Sequence, residues 1–244
     1  MRDDSQPAAQ PEVSQSTGHS ILEAVGPQTG TATHRQTRRG FLAATASAAA
    51  VALAGCLSRG NGADPGDQAP GQPLPVPSKG DPDANVTVKV YEDYMCGGCL
   101  YYHSNVRPDV ESEYVEPGAV HYEFHDYPLP VDKDLSWAAA SAARAVQDIA
   151  GEDAFWTYQD RLFTEQSDLD QDKLVSLAEG LVNDSSDIRE AVEEQAYHET
   201  VDHYRSQGSD YGVERTPEIV IDGELIGWDE IAFEPIQSTL DGKL

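Results

Sequence analysis

Basic residues are scarce in this sequence, and lysine is especially rare. The 244 residues contain 16 Lys and Arg against 43 Asp and Glu, which leaves a formal net charge of −27 at pH 7. Nucleic-acid-binding proteins neutralise phosphates with cations, and polybasic segments attract anionic membrane surfaces. The composition therefore argues against both kinds of partner. A strongly acidic surface keeps a protein soluble, and we expect it to suit a salty environment, where screening weakens the repulsion.

Cysteines are also few, and no apolar run is long enough to span a bilayer. Three cysteines cannot build a disulfide scaffold. The most apolar segment, Phe41–Gly55, is shorter than the roughly 20 residues that a membrane-spanning helix needs. Cys96 and Cys99 form a C-x-x-C pair, whereas Cys56 stands alone after the apolar segment. The cysteines therefore indicate two separate functions.

Residues 1–56 are predicted to be a disordered leader followed by an export signal. Arg38-Arg39 precede the weakly apolar segment, which resembles a twin-arginine signal. The segment ends in Leu53-Ala54-Gly55-Cys56, which is similar to a lipobox. This resemblance implies that Cys56 carries a lipid, and that the exported protein is anchored to the outer face of the cytoplasmic membrane. An uncleaved anchor is the alternative.

Residues 57–85 are rich in Pro, Gly and Asp, which predicts an extended linker. One domain is then expected over residues 86–244. The β-branched and aromatic run Val86–Tyr91 predicts a first strand. A helix with a kink at Pro108 and a second strand over 119–124 follow it, so the pattern indicates a βαβ unit.

The second half of the domain combines helices with a hairpin. Apolar residues recur at helical spacing over about residues 134–210. Glu218–Ile226 contains a central Asp-Gly, which predicts a β-hairpin, and a last helix is expected over about 229–240. This order of elements is that of an α/β thioredoxin fold with a helical insertion between its βαβ and ββα halves.

Four segments of the sequence resemble the DsbA-like branch of the thioredoxin superfamily, and they occur in the family's order. They are Asp93–Cys99, Asp126–Pro130, the aromatic residues between Ala154 and Phe163, and Thr216–Gly223. The resemblance covers about Val86 to Leu240. It implies thiol–disulfide exchange with protein thiols and disulfides as substrates, an unidentified redox partner and no cofactor.

Cys96 is the predicted attacking thiol. At the start of a helix it would lie beside unsatisfied N–H groups and the positive end of the helix dipole, which favour the nucleophilic thiolate. Cys99 is expected to be buried and to resolve mixed disulfides. A structural zinc site would need four ligands, and a disulfide across two residues would constrain little chain entropy. Redox catalysis is therefore favoured, and no metal is expected.

The resemblance also assigns roles to Thr216 and Pro217. It implies that Pro217 follows a cis peptide bond and lies against the two sulfurs. It further implies that the backbone of Thr216 pairs with an incoming peptide as an added strand.

The sequence departs from the family at several positions. Gly97-Gly98 stands where relatives carry proline and a histidine or aromatic residue, and Val90 stands where many have a buried acid. Glu92 and Asp93 are close in sequence, but strand alternation lets at most one approach the cysteines, and a capping role is favoured for Asp93. Arg215 could lower the pKa of Cys96, although a solvated loop arginine is the favoured interpretation.

Two further alternatives stay open from the sequence. His103 follows Cys99 by one helical turn and could touch the pair, but a structural role is favoured. The chain could instead be a non-catalytic lipoprotein that carries copper(I) on Met95, Cys96 and Cys99. The sequence does not predict whether disulfides are formed, reduced or rearranged, because the residues between the cysteines tune the redox potential.

Overall fold

The fold is described from a computed structural model. The structure describes residues 72–129 and 131–244. The leader, the twin-arginine motif, the lipobox with Cys56 and the first part of the predicted linker lie outside the described residues. Within the described part of the chain, no helix combines the length and apolar character needed to cross a membrane.

Five strands form one mixed sheet in the order β1-β3-β2-β4-β5. The strands are β1 (Ser78–Gly80), β2 (Val86–Glu92), β3 (Val120–Asp126), β4 (Glu218–Ile221) and β5 (Glu224–Ile226). The central pair, β2 and β3, is parallel, and the other three pairings are antiparallel. Because β2 is the middle strand of the sheet, the loop that follows it lies at the middle of the end of the sheet where β2 terminates.

Helices cover both faces of the sheet. They are α1 (Gly97–Asn105), α2 (Arg107–Val110), a π-helical turn (Glu111–Val115), α3 (Lys133–Ala150), α4 (Glu152–Thr164), a 3-10 turn (Gln166–Asp168), α5 (Gln171–Leu177), α6 (Ser186–Glu194), α7 (His198–Asp210) and α8 (Glu234–Lys243). Parallel strands need cover on both faces, and the neighbouring residues Val90 and Tyr91 of β2, which lie on opposite faces, are both fully buried. The helices from α3 to α7 form the predicted insertion, and the thioredoxin fold expected from the sequence is confirmed.

The aromatic residues of the insertion pack into the core with residues of the sheet. Phe155 and Trp156 of α4 contact Phe124 of β3, with ring centroids 5.7 and 6.4 Å apart. Phe163 packs against Tyr94, in the loop after β2, with the ring centroids 5.2 Å apart. This cluster fixes the C-terminal end of α4 beside the loop that follows β2.

The folded domain begins before Val86, so the predicted linker is wrong for residues 72–85. Leu74 is buried, its N–H donates to Thr200 Oγ1 at 3.2 Å, and its carbonyl accepts from the Tyr204 hydroxyl at 2.6 Å. The carbonyl of Pro75 accepts from Arg144 at 3.3 Å. Prolines lack a backbone N–H, so this segment is held through its carbonyl oxygens and by the short strand β1.

Two helix boundaries also differ from the sequence prediction. The first helix ends at Asn105, and a new one starts at Arg107, because Pro108 belongs in a first helical turn and cannot continue the preceding helix. The last helix starts at Glu234 rather than near residue 229, with Pro235 in its first turn. The residues before it form an irregular segment that reaches the cysteine pair.

Candidate functional site

The cysteine pair lies at the start of α1, directly after the loop that follows the middle strand β2. Cys96 is the residue that precedes the helix, with φ −86° and ψ 119°, and its carbonyl accepts the N–H of Cys99 at 3.0 Å. Both residues are free thiols, Cys96 partly exposed and Cys99 buried. Only the first sulfur is therefore open to a large substrate.

The surroundings of Cys96 stabilise its thiolate. A hydrogen bond from the Cys99 thiol is the main cause that lowers the pKa of Cys96 to about 5. Partial burial opposes this shift, while the adjacent Thr216 and the backbone N–H groups of Cys99 and Gly98 add to it. This is the electrostatic pattern of a helix N-terminus that holds an anion.

Cys99 has the opposite properties. Complete burial is the main cause that raises its pKa well above that of a free cysteine, and the hydrogen bond to Cys96 adds to the rise. The N–H of Asp93 lies 3.4 Å from Cys99 Sγ. The two residues, one turn apart, thus provide a partly exposed thiolate and a buried thiol.

The loop before β4 completes the site. The Thr216-Pro217 peptide bond is cis. Cys96 Sγ lies 3.3 Å from the Thr216 carbonyl oxygen, so a protonated Cys96 can donate to it. The structure thus brings together the four residues that the sequence analysis selected within the domain.

Gly98 lies in the contact between α1 and this loop. A Cβ at position 98 would lie 3.2 Å from Pro217 Cδ and 3.1 Å from Ile231 Cδ1, whereas one at position 97 would meet nothing within 4 Å. Ile231 belongs to the irregular segment before α8. Glycine at position 98 therefore allows that segment and the proline loop to approach the helix.

Glu92 is a site residue that the sequence analysis did not select. It is the last residue of β2, it is fully buried, and neither carboxylate oxygen has a hydrogen-bond partner among the described residues. Burial raises its pKa to about 8, against a lowering by Arg107 and a further rise caused by Cys96. The available sequence signal was a carboxylate at the end of an otherwise buried strand.

Asp93 shapes the loop rather than capping the helix. Its carboxylate accepts the N–H of Met95 at 2.8 Å, the N–H of Leu129 at 2.7 Å and the hydroxyl of Ser136 at 3.0 Å. Burial is the main cause that raises its pKa, and these hydrogen bonds oppose the rise. Asp93 therefore joins the loop between β2 and α1 to the segment after β3 and to α3.

Arg215 and His103 do not contact the sulfurs. The Arg215 guanidinium donates to Glu218 Oε1 at 3.2 Å and to the Trp228 carbonyl at 3.1 Å. His103 packs on Phe163 with ring centroids 4.6 Å apart, and burial lowers its pKa to about 4. Neither is among the causes of the Cys96 pKa shift, which agrees with the favoured interpretations of a solvated loop arginine and a structural histidine. Across the described ranges, 72–129 and 131–244, no cluster of three His, Cys, Asp or Glu has the geometry of a metal site.

Sequence comparisons relate the chain to disulfide bond formation proteins. The disulfide bond formation protein D of Bacillus subtilis (strain 168) is 27% identical over 180 residues, which cover 68% of this chain and 78% of the relative. A probable disulfide bond formation protein D of Bacillus anthracis is 25% identical over 175 residues.

Solved structures show the same fold. BdbD from Bacillus subtilis in its oxidised form superposes with a TM-score of 0.62 at 23% identity, over 69% of this chain and 92% of that one. DsbA from Chlamydia trachomatis gives a TM-score of 0.62 at 22% identity, over 72% and 96% of the two chains. Residues 75–242 match the sequence profile of the family described as thioredoxin. The chain therefore belongs to the thioredoxin family.

Proposed function

We propose that this chain is an exported thiol:disulfide oxidoreductase that exchanges disulfides with protein substrates through Cys96 and Cys99. The observation that carries the proposal is the asymmetry of the pair. Cys96 is accessible with a pKa lowered to about 5, whereas Cys99 is sealed with a raised pKa. A structural disulfide needs no such difference, but a nucleophile and a resolving thiol do.

The net direction that we infer is oxidation of substrate thiols. A substrate thiolate attacks Cys96 Sγ of the Cys96–Cys99 disulfide, forms a mixed disulfide with Cys96, and releases Cys99 as a thiolate that takes up a proton. A second substrate thiolate then attacks the substrate sulfur and releases the Cys96 thiolate. One protein disulfide and two substrate thiols give one protein dithiol and one substrate disulfide. A stabilised Cys96 thiolate favours this direction, because it is a good leaving group and stabilises the reduced enzyme.

Thr216 and Pro217 are proposed to hold the substrate against Cys96. The Thr216 carbonyl lies 3.3 Å from Cys96 Sγ, at the start of the segment that leads into β4. A peptide that aligned with this backbone would present its own cysteine to the sulfur, in the manner of an added strand.

Glu92 is proposed to exchange the proton of Cys99. Both groups are fully buried, and the charge of Glu92 raises the pKa of Cys99. With a pKa of about 8, Glu92 holds a proton near neutral pH and can give it to the departing Cys99 thiolate. In the reverse step, when the enzyme is reoxidised by its redox partner, the carboxylate can take the proton from Cys99 as that sulfur attacks.

Export and anchoring are proposed from the motifs near the N-terminus. Arg38-Arg39 and the sequence Leu53–Cys56 support a twin-arginine signal and lipidation of Cys56. Cys56→Ser should abolish incorporation of labelled fatty acid and release the protein from membranes. Retention of the variant on washed membranes would contradict the proposed anchor.

A turnover assay tests the catalytic proposal. Oxidation of a reduced, unfolded protein, with oxidised glutathione as the oxidant, should be lost in Cys96→Ser. Cys99→Ser incubated with a substrate that carries a disulfide should accumulate a covalent mixed disulfide through Cys96, visible on a non-reducing gel. Cys56→Ser serves as the control and should retain turnover, because that residue precedes the folded domain. Absence of both turnover and adduct, with wild-type protein as inactive as Cys96→Ser, would refute the proposal.

A further inference from the structure

Gln166 connects the helical insertion with the loop that carries Cys96. It is the first residue of the 3-10 turn Gln166–Asp168, which directly follows α4. Its Nε2 donates to the Tyr94 carbonyl at 2.8 Å and to the Cys96 carbonyl at 3.0 Å. A side-chain amide has two N–H hydrogens, and both are thus used on one loop. We propose that Gln166 is a positioning residue that holds Cys96 at the head of α1.

The geometry explains why this contact matters for the sulfur. The Cys96 carbonyl is the first acceptor of α1, since it also receives the N–H of Cys99 at 3.0 Å and of Leu100 at 3.1 Å. The hydrogen bonds from Gln166 fix this carbonyl on one side and the Tyr94 carbonyl on the other side of Met95. They thereby fix the orientation of the Tyr94–Met95 and Cys96–Gly97 peptide units, and with it the place of Cys96 Sγ.

The position of Cys96 Sγ sets the ionisation of its thiol. The contacts that lower its pKa are with Cys99, Thr216 and Gly98, which belong to α1 and to the loop before β4. Hydrogen bonds weaken steeply with distance and misalignment. A loop free to shift would lose part of each, and the thiolate would lose part of its stabilisation.

The contacts of Gln166 also give the helical insertion a function, which is to support the loop that carries Cys96. Phe163, three residues earlier, packs on Tyr94 at 5.2 Å, so the end of α4 supports the loop through an apolar contact and Gln166 adds two directed ones. The insertion therefore orients the nucleophile as well as covering the sheet. This inference rests on the proposed function, because the placement of Cys96 matters only if its sulfur reacts.

The test compares Gln166→Met with Gln147→Met in the full chain. Gln147 is a suitable control, because its amide also donates to a backbone carbonyl, that of Pro75 at 3.0 Å, in a different part of the domain. Alkylation of Cys96 by iodoacetamide, followed by mass spectrometry across pH, gives the pKa of that residue. We expect Gln166→Met to raise this pKa by about half a unit or more, and Gln147→Met to leave it unchanged.

A third variant separates positioning from simple loss of stability. Gln166→Lys restores the donor hydrogens and adds a positive charge, so the pKa of Cys96 should stay at or below the wild-type value. Should Gln166→Met fail to fold, Gln166→Asn carries the same test, because its shorter side chain cannot reach both carbonyls. A folded Gln166→Met or Gln166→Asn with the wild-type pKa would overturn the inference alone. An ordinary cysteine pKa in the wild type would overturn the proposed function, and the inference with it.

Discussion

Of the two glycines between Cys96 and Cys99, Gly98 has the less space around it. A Cβ there would lie 3.1 Å from Ile231 and 3.2 Å from Pro217, but one at Gly97 would lie in the open. The two adjacent glycines thus have different roles, although the sequence alone treats them alike. Gly97 is replaceable, whereas Gly98 lets the proline loop close on the helix.

We therefore predict opposite effects of alanine at the two positions. Gly97→Ala should stabilise the protein by about 0.5 kcal/mol, because alanine reduces the entropy of the unfolded chain and favours the helix. Gly98→Ala should destabilise it by about 1 kcal/mol, because Ile231 and Pro217 must move to make room. Urea unfolding of the reduced proteins measures both. In an Ile231→Ala background the loss caused by Gly98→Ala should be smaller than in wild type, and equal stabilisation by both alanines would contradict this account.

Replacing Glu92 by Gln should raise the free energy of unfolding near neutral pH but slow the proton transfer to and from Cys99. Its folded pKa is raised from 4.5 to about 8, so the folded protein binds this proton more tightly than the unfolded chain. The stability that results is complete below pH 4.5 and is lost as pH rises through about 8. Glu92→Gln cannot ionise, so it should gain about 2 kcal/mol or more over wild type between pH 4.5 and 8.

Two measurements check this prediction. Urea unfolding of the reduced proteins at pH 4.5 and pH 9 should show the advantage of Glu92→Gln only at the higher pH. Stopped-flow reoxidation of the same variant should be slower than that of wild type, because Cys99 has lost its proton acceptor. An unchanged difference in stability across this pH range would mean that Glu92 ionises freely in the folded protein.

The sequence predicted the sulfur pair and the Thr216-Pro217 loop, because both lie in short motifs. It did not predict Glu92 and Gln166 as site residues, for a physical reason. Glu92 matters because residues distant in sequence surround it and leave its carboxylate without a partner. Gln166 reaches carbonyls about 70 residues earlier in the chain. Every residue type has a backbone carbonyl, so a side chain that donates to carbonyl oxygens produces no recognisable pattern in the sequence.

At the scale of elements, locally determined structures were the predictable ones. The hairpin β4–β5 turns at Asp222 and Gly223, both with positive φ, as an Asp-Gly pair favours. The segment before β1 was mistaken for a linker, because its Pro and Gly content is that of a linker. Its order comes from Thr200 and Tyr204, more than 120 residues away in sequence.

A buried ion pair fixes α3 to the sheet and to that segment. Arg144 Nε lies 2.6 Å from Asp126 Oδ2, and both side chains are essentially inaccessible to solvent. We predict that Arg144→Met destabilises the domain by about 3–5 kcal/mol, because it leaves the Asp126 carboxylate buried without a counter-charge. The control is Arg189→Met, which breaks an exposed pair with Asp172 and should cost less than about 1 kcal/mol. Urea unfolding compares them, and similar losses in the two variants would contradict the prediction.

At the scale of the whole molecule, the acidic excess is the dominant property. With a net charge of −27, the carboxylates of the protein repel one another, and salt at 0.1 M leaves this repulsion effective over roughly 10 Å. We predict that the urea midpoint rises when KCl increases from 0.1 M to 2 M, where screening acts over only about 2–3 Å. Repetition near pH 4.5, where many carboxylates are neutral, is the control and should show a smaller effect. Equal stability in dilute and concentrated salt at pH 7 would remove electrostatic repulsion as a factor.

The packing of Leu74 in the folded domain has a consequence for where this protein can act. If Cys56 holds the lipid as proposed, the lipid-bearing residue is 18 positions before Leu74 in the sequence. Even a fully extended chain of that length reaches roughly 60 Å. The Cys96 sulfur would then stay within a limited distance of the lipid headgroups. It would meet polypeptides as they emerge from the export machinery rather than those that have diffused away.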